Sequence, residues 1–375
     1  MGLRRGRSVN TELEAMAFMA ISDTPGASPS PLRDPARIAA VVEVLRSGLS
    51  ASLGSAGRIH GLRVQALFQA VVVALGAVKF IKPEDFGIYY SDDTDGAILP
   101  ADFMLVLADG QRVLVEVKNV APKDMSEGFV MRRQDFDAHK RYAAMAGARL
   151  LFAHYWAGLK IWTLVDADIM TVNANKVRLK INQAMRASQM AALGDAWIAT
   201  KPPLTFTVHV EPEGQQRLGD GHYELQIAAI EIAAAGHVLT NPVQKRMAVT
   251  FMLGSDWTEN VEVQLTHADV VTKIVCIQEP FGDQDYIDKI AEQGFAFLGP
   301  LSAVYSRLYH MDTVDEDGEI TALSSEPEPG FLRDLIPDDY WERDDDLLPI
   351  WRFQMESIDP AHTPERPQIS VRRSG

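Results

Sequence analysis

PADFMLVLADGQRVLVEVK, residues 100–118, sets two apolar runs on either side of Ala108-Asp109-Gly110 and places Asp102, Glu116 and Lys118 among them. Val113, Val115 and Val117 recur with period two, which predicts a strand over 112–120; the first run predicts another over 101–107. Side chains alternate along a strand, so Glu116 and Lys118 share a face. Whether Asp102 joins them depends on the turn. A two-residue turn of Asp109 and Gly110 sets Asp102 opposite Val117, on the wrong face. A three-residue turn with Gly110 left-handed pairs Leu107 with Gln111, and Asp102 then lies directly opposite Glu116.

Opposed side chains have Cβ atoms about 4.5–5.5 Å apart. Two carboxylates that close repel and raise each other's proton affinity, and a divalent cation removes the repulsion. Mg²⁺ or Mn²⁺ takes oxygen ligands, so Asp102, Glu116 and the carbonyl of Val117, completed by water, make a suitable shell. Lys118 aims an ammonium at whatever binds there. Such a cluster can polarise a phosphate, acidify an attacking water and stabilise charge growing on phosphoryl oxygens.

Working outward, a helix is expected over 58–75, stopped by Gly76, and a first strand over 86–90. After the quoted stretch come a helix over 131–146, ended by Gly147, and strands over 149–155 and 160–165. This α/β order of helix, three strands, helix and strand, with its Asp…Glu-x-Lys, resembles the PD-(D/E)XK or restriction-endonuclease-like nuclease superfamily over residues 58–165. The resemblance implies that Asp102 and Glu116 bind metal and that Lys118 orients or activates the attacking water. Two departures stand out. Ala101 separates Pro100 from Asp102, and the first helix offers Gln65 and Gln69 where many relatives carry a glutamate that completes the metal site.

The resemblance also lends the scissile phosphate a residue from the following helix, with Gln134, His139 and Lys140 as candidates. Arg132 and the basic residues of a further helix over 176–193, Lys176 and Lys180 among them, suit phosphate contacts or a plain solvated face. Asp92, Asp93 and Asp95 would either add a ligand or shape a turn. Tyr155, Trp156 and Trp162 would either stack on bases or fill the core.

The chain of 375 residues carries a formal net charge of -15, which argues against coating nucleic acid through overall charge. Residues 111–186 nevertheless hold 13 Lys/Arg against 7 Asp/Glu, while 301–375 hold 7 against 17. One cysteine, Cys276, leaves no internal disulfide framework, and a cytoplasmic setting without membrane association is expected. The division expected is an N-terminal helical segment and linker (1–56), a nuclease-like unit (57–200), a mostly β accessory unit (201–310) with a strand over 247–253, and an acidic, loosely ordered or docked end (311–375). The β unit is expected to regulate the core or to recognise a partner, another protein or a second copy. The acidic end is expected either to keep the chain soluble or to compete with nucleic acid for the basic island.

The function these readings imply is metal-dependent hydrolysis of phosphodiester bonds, in DNA, with a role in prokaryotic defence or repair implied by the resemblance alone. Two rivals remain: a degenerate nuclease fold that binds nucleic acid or protein without cutting, and an RNA-directed enzyme of the same fold.

Overall fold

The computed structural model describes residues 3, 35–85, 89–91, 96–122, 125–219, 222–267, 270–282, 285, 289, 292, 294–342, 347–355 and 369–373. Helix α1 (Pro35–Leu53) starts with proline, where a missing amide hydrogen costs nothing, and buries no residue. Helix α2 (Ala56–Leu75) buries Val64, Leu67, Phe68, Val71, Val72 and Leu75 along one stripe. It ends at Gly76, whose φ of 66° lets its N–H return to the Val72 carbonyl.

The stripe of α2 covers one face of a sheet built from β1 (Phe80–Pro83), β2 (Phe103–Val106), β3 (Arg112–Val120), β5 (Arg149–Trp156) and β6 (Ile161–Asp166), in that spatial order. Between β3 and β5 the chain passes through β4 (Phe129–Arg132) and helix α3 (Arg133–Met145), which lets β3 and β5 run parallel; the other pairs are antiparallel. Val113, Val115, Val117, Leu151 and Ala153 face α2, whereas Leu114, Phe152 and Trp156 pack with Phe136 and Ala143 of α3. The sheet is therefore covered by a helix on each face.

The hairpin at its centre adopts the three-residue turn. Leu107 N donates to Gln111 O at 2.9 Å, Gly110 has φ 93°, and Phe103 pairs with Val115. One step further along that register, Asp102 stands opposite Glu116. The first strand lies earlier than expected. Phe80 and Ile81 pair with Val106 and Leu105, and Pro83 is tolerated because β1 is an edge strand, with Glu84 N still donating to Asp102 O at 2.9 Å. Of the 86–90 stretch, 86–88 lie outside the described residues, and Tyr89 and Tyr90 are exposed and not in a strand.

The basic helix expected over 176–193 begins instead as a strand. In a small sheet ordered β4-β8-β7, with β7 (Thr171–Val172) and β8 (Lys176–Leu179), Val177 and Leu179 are buried while Lys176 and Arg178 are exposed. That alternation has period two, and only Ile181–Arg186 is α-helical (α4), followed by a 3-10 turn at Met190–Leu193.

Beyond β9 (Trp197–Thr200) come β10 (Leu204–Val210), the hairpin β11 (Gln216–Gly219) and β12 (His222–Glu224), then β13 (Ile227–Ala234) and β14 (His237–Val238). A second sheet forms in the order β14-β13-β10-β16-β15, with β15 (Thr258–Leu265) and β16 (Val271–Glu279). The strand expected over 247–253 is a helix, α5 (Pro242–Gly254). Its start signal is Asn241, whose side chain accepts from Val243 N at 2.8 Å, followed by proline at the first helical position. The apolar run itself is ambiguous between strand and helix, and the cap decides it.

β17 (Ala296–Pro300) leads into α6 (Leu301–Thr313), and a third sheet runs β17-β9-β18-β19 with β18 (Ile350–Met355) and β19 (Ile369–Arg373). Of the two expectations for the end of the chain, loose order or docking, its described part shows docking. Leu332, Leu335, Ile336, Tyr340, Leu348 and Ile350 are buried in the same apolar core as α2, and Gly330 N and Leu332 N donate to Val73 O and Ala74 O. Averaged composition hid these evenly dispersed apolar anchors among the acids. Residues 4–34 and the Asp344-Asp345-Asp346 run lie outside the described residues. Among the described residues no single helix is long and apolar enough to cross a membrane.

Candidate functional site

Asp102 and Glu116 occupy a non-hydrogen-bonded position of the β2–β3 register, where side chains approach most closely. Both are buried, at 6% and 5% exposure. Asp102 Oδ2 accepts from Val117 N at 2.6 Å and Oδ1 accepts from Gln65 Nε2 at 2.5 Å, so α2 reaches the site through Gln65. Within a strand the N–H and C=O of one residue point the same way, so the Val117 carbonyl opens on the side where Asp102 sits. Glu116 Oε1 meets Lys118 Nζ in an ion pair and lies 3.4 Å from His139 Nε2. Glu116 Oε2 is buried and, among the described residues, has no hydrogen-bond partner.

Burial drives the Asp102 carboxyl well above its ordinary range, and the charge of Glu116 raises it further. Val117 N–H and Lys118 oppose that shift without cancelling it. His139 Nδ1 is 3.1 Å from Leu99 O, and burial lowers the proton affinity of its ring despite the adjacent Glu116. A carboxylate pair with an open buried oxygen, an ammonium alongside and an imidazole behind forms an unsatisfied acceptor site. A hard dication would resolve it. Among the described residues, no group of three or more His, Cys, Asp or Glu gathers in a metal-binding arrangement.

The candidate phosphate-contacting residues divide. Arg132 and Lys176 stand directly opposite each other in the β4–β8 pair, with Arg178 and Lys180 further along the exposed side. Gln134 is exposed in the first turn of α3. His139 belongs to the buried cluster instead of the surface. Lys140 is tied to Asp168 at 2.7 Å, Arg132 to Asp135 and Arg133 to Asp137, so much of the basic island is neutralised locally. The described part of the acidic end docks on α2 and β9. Trp156 and Trp162 are core residues, at 0% and 3% exposure. Asp92, Asp93 and Asp95 lie outside the described residues.

Two neighbours escaped the sequence reading. Asp85, just after β1, has its carboxyl raised by burial and then by Glu116, and it raises Asp102 in turn. Its signal was the Glu84-Asp85 pair behind Pro83, hidden by the misplaced first strand. His154 lies beside Lys118 across the parallel β3–β5 pair, fully buried between Phe129, Phe152 and Trp156, with neither ring nitrogen bonded. Burial, and then Lys118, push it down to about 3, so it is neutral and adds no second cation beneath the ammonium. A histidine at an apolar period-two position gives no sequence signal of this.

No family model matches the chain, and no curated protein matches it. Among solved structures it is similar to Hjc, a Holliday junction resolvase from the archaeal hyperthermophile Archaeoglobus fulgidus, at 10% identity and a TM-score of 0.22. The match covers 28% of this chain and 84% of that one, and a likeness so slight carries no argument about activity.

Proposed function

We propose that this chain is a metal-dependent nuclease with a restriction-endonuclease-like core, hydrolysing phosphodiester bonds in DNA. The single observation that carries this reading is the buried Asp102–Glu116 pair with Glu116 Oε2 left unpartnered and Lys118 on the same face. The donor set is all oxygen, Asp102, Glu116 and the Val117 carbonyl, which suits Mg²⁺ or Mn²⁺. A dication held there supplies Lewis acidity toward a phosphoryl oxygen.

The remaining roles fall to the chain itself. Lys118 Nζ fixes Glu116 Oε1 and, with 30% of its side chain exposed, still presents protons to a phosphate or an attacking water. His139, anchored through Nδ1 at Leu99 O, packs its Nε2 3.4 Å from the same Glu116 oxygen on the α3 side. Arg132, Gln134, Lys176 and Lys180 offer a flanking surface for the phosphate backbone. Residues 57–200 carry the reaction in this reading, and 201–310 the recognition of a partner.

Gln65 favours a second reading. It places an amide donor on Asp102 where a third carboxylate would complete a metal site, which suits a fold that binds nucleic acid without cutting it. Supercoiled plasmid, single-stranded DNA and RNA, each incubated with Mg²⁺, Mn²⁺ or EDTA, separate the readings. Nicking of plasmid that EDTA abolishes is expected. Binding without cleavage under every condition would leave the second reading, and cleavage of RNA alone would redirect the first.

A further inference from the structure

Residues two apart on a helix lie about 200° around its axis. Helix α2 thus sends Gln65 to Asp102 on one flank and Arg63 toward α6 on the other. Arg63 is 8% exposed. Its Nε and Nη2 donate to Thr313 Oγ1 at 3.0 and 2.7 Å, Nη2 meets His310 Nδ1 at 3.3 Å, and Cζ stands 5.5 Å from the centre of the Tyr309 ring. Every one of these partners is neutral. Among the described residues no carboxylate pairs with Arg63, in a chain with 51 Asp+Glu against 36 Lys+Arg. Buried charges are ordinarily paired, because leaving the water without a counter-charge is costly.

The charges that do lie nearby have the same sign. Burial, then Arg63, then Lys160 lower the proton affinity of His310. With Nδ1 accepting from Arg63, the neutral ring carries its proton on Nε2 and directs it elsewhere. Lys160 is exposed in the β5–β6 turn, held at φ 53°, two residues before Trp162, whose Nε1 donates to Ser306 Oγ one turn before His310 on α6; among the described residues its side chain makes no hydrogen bond or ion pair. Among the described residues, Arg63 Nη1, His310 Nε2 and Lys160 Nζ are therefore donors without an acceptor. The carbonyl end of α6, at His310–Thr313, offsets part of the Arg63 charge with about half an elementary charge. It leaves those three donors unfilled.

We infer that Arg63, His310 and Lys160 form an anion site for a phosphate group. Resting on the nuclease reading, the occupant is a backbone phosphate of the bound strand, away from the one that reacts. The two flanks of α2 are separated by about 10–12 Å, the diameter of a helix with its side chains. At about 3.4 Å of rise per nucleotide, that is about three nucleotides along a strand.

The test is binding of a fluorescent single-stranded 20-mer to the full chain in EDTA, over a range of salt. Lys160→Gly suits the left-handed backbone at that position, and His310→Ala and Arg63→Lys complete the set. Each should weaken binding about fivefold or more, independently of sequence, and Lys160→Gly should lower the salt slope by about 0.7. A parallel arm measures thermal stabilisation by inorganic phosphate and by a mononucleotide. Stabilisation that Lys160→Gly and Arg63→Lys lose, with oligonucleotide affinity unchanged, would keep the phosphate site and assign it to a free phosphorylated molecule. No effect in either arm overturns the inference and leaves Arg63 as a staple between α2 and α6. Because the readout is binding without metal, a failure to cleave does not bear on it, and normal cleavage with unchanged affinities sinks this inference alone.

Discussion

Asp195 and Glu116 are both buried acids, and they differ in what their oxygens meet. Asp195 Oδ1 accepts from Ala196 N and Ser302 N at 3.0 Å each, and Oδ2 accepts from Ser302 Oγ at 2.5 Å. Ser302 lies in the first turn of α6, whose own N-cap, Pro300, has no side chain to offer, so Asp195 caps that helix from a distant part of the chain. Glu116 keeps one oxygen buried and unpartnered and faces a second carboxylate. A buried acid whose acceptors are filled holds the architecture together. One whose acceptors stay open beside a like charge is configured for something that is yet to bind.

The largest expected contrast is in cleavage. Asp102→Asn or Glu116→Gln should lower the cleavage rate about a thousandfold or more, while Asp195→Asn leaves it within about twofold. Equal losses in all three would erase the distinction between the two sites. Lys118→Ala should cost about a hundredfold in rate but keep the response to metal, because it removes an ammonium and no ligand.

Stability gives the next contrast. Saturating Mg²⁺ at about a thousand times its Kd should stabilise the wild type by about 4 kcal/mol. Differential scanning calorimetry should find that gain in Asp195→Asn and miss it in Glu116→Gln. A gain that survives in Glu116→Gln would move the metal elsewhere.

The smallest effect concerns pH. Burial raises the Asp195 carboxyl from 3.8 to about 6. A folded-state value above the unfolded one means that the folded protein binds the extra proton. Stability from this group is then full below about pH 4 and declines as pH rises through 6, by at most about 3 kcal/mol. Asn in its place can still accept from the backbone and donate to Ser302 Oγ. Urea unfolding at pH 4 and pH 7 should show a smaller decline in Asp195→Asn than in the wild type; identical declines would mean that Asp195 does not titrate there.

The sequence pointed to the Glu116 site and not to Asp195. Asp109-Gly110 and the spacing of Val113, Val115 and Val117 placed the hairpin but allowed two turns, and the Leu107–Gln111 closure, with Gly110 left-handed, decides the face on which Asp102 lies. Gln65 could be singled out from its place on the first helix, but its bond to Asp102 depends on tertiary packing. His139 read either as a contact to the scissile phosphate or as a packing residue, because a helix pattern does not say which flank is covered, and α3 turns that flank onto Glu116. Asp195 gave no signal, since its partner Ser302 is 107 positions away. The apolar run 247–253 was misread because its strand-like residues outweighed the Asn241-Pro242 cap, and α5 shows that the cap governs. Asp85 and His154 take their roles from the field of Glu116 and Lys118, which no local pattern records.

The most direct measurement is a Mn²⁺ titration followed by electron paramagnetic resonance on the wild type, Glu116→Gln and Asp195→Asn, all without nucleic acid. The account predicts saturable loss of the free Mn²⁺ signal in the wild type and in Asp195→Asn, and its absence in Glu116→Gln. Equal Mn²⁺ binding by all three proteins, or none by the wild type, would contradict the claim that the Asp102–Glu116 pair is a metal centre.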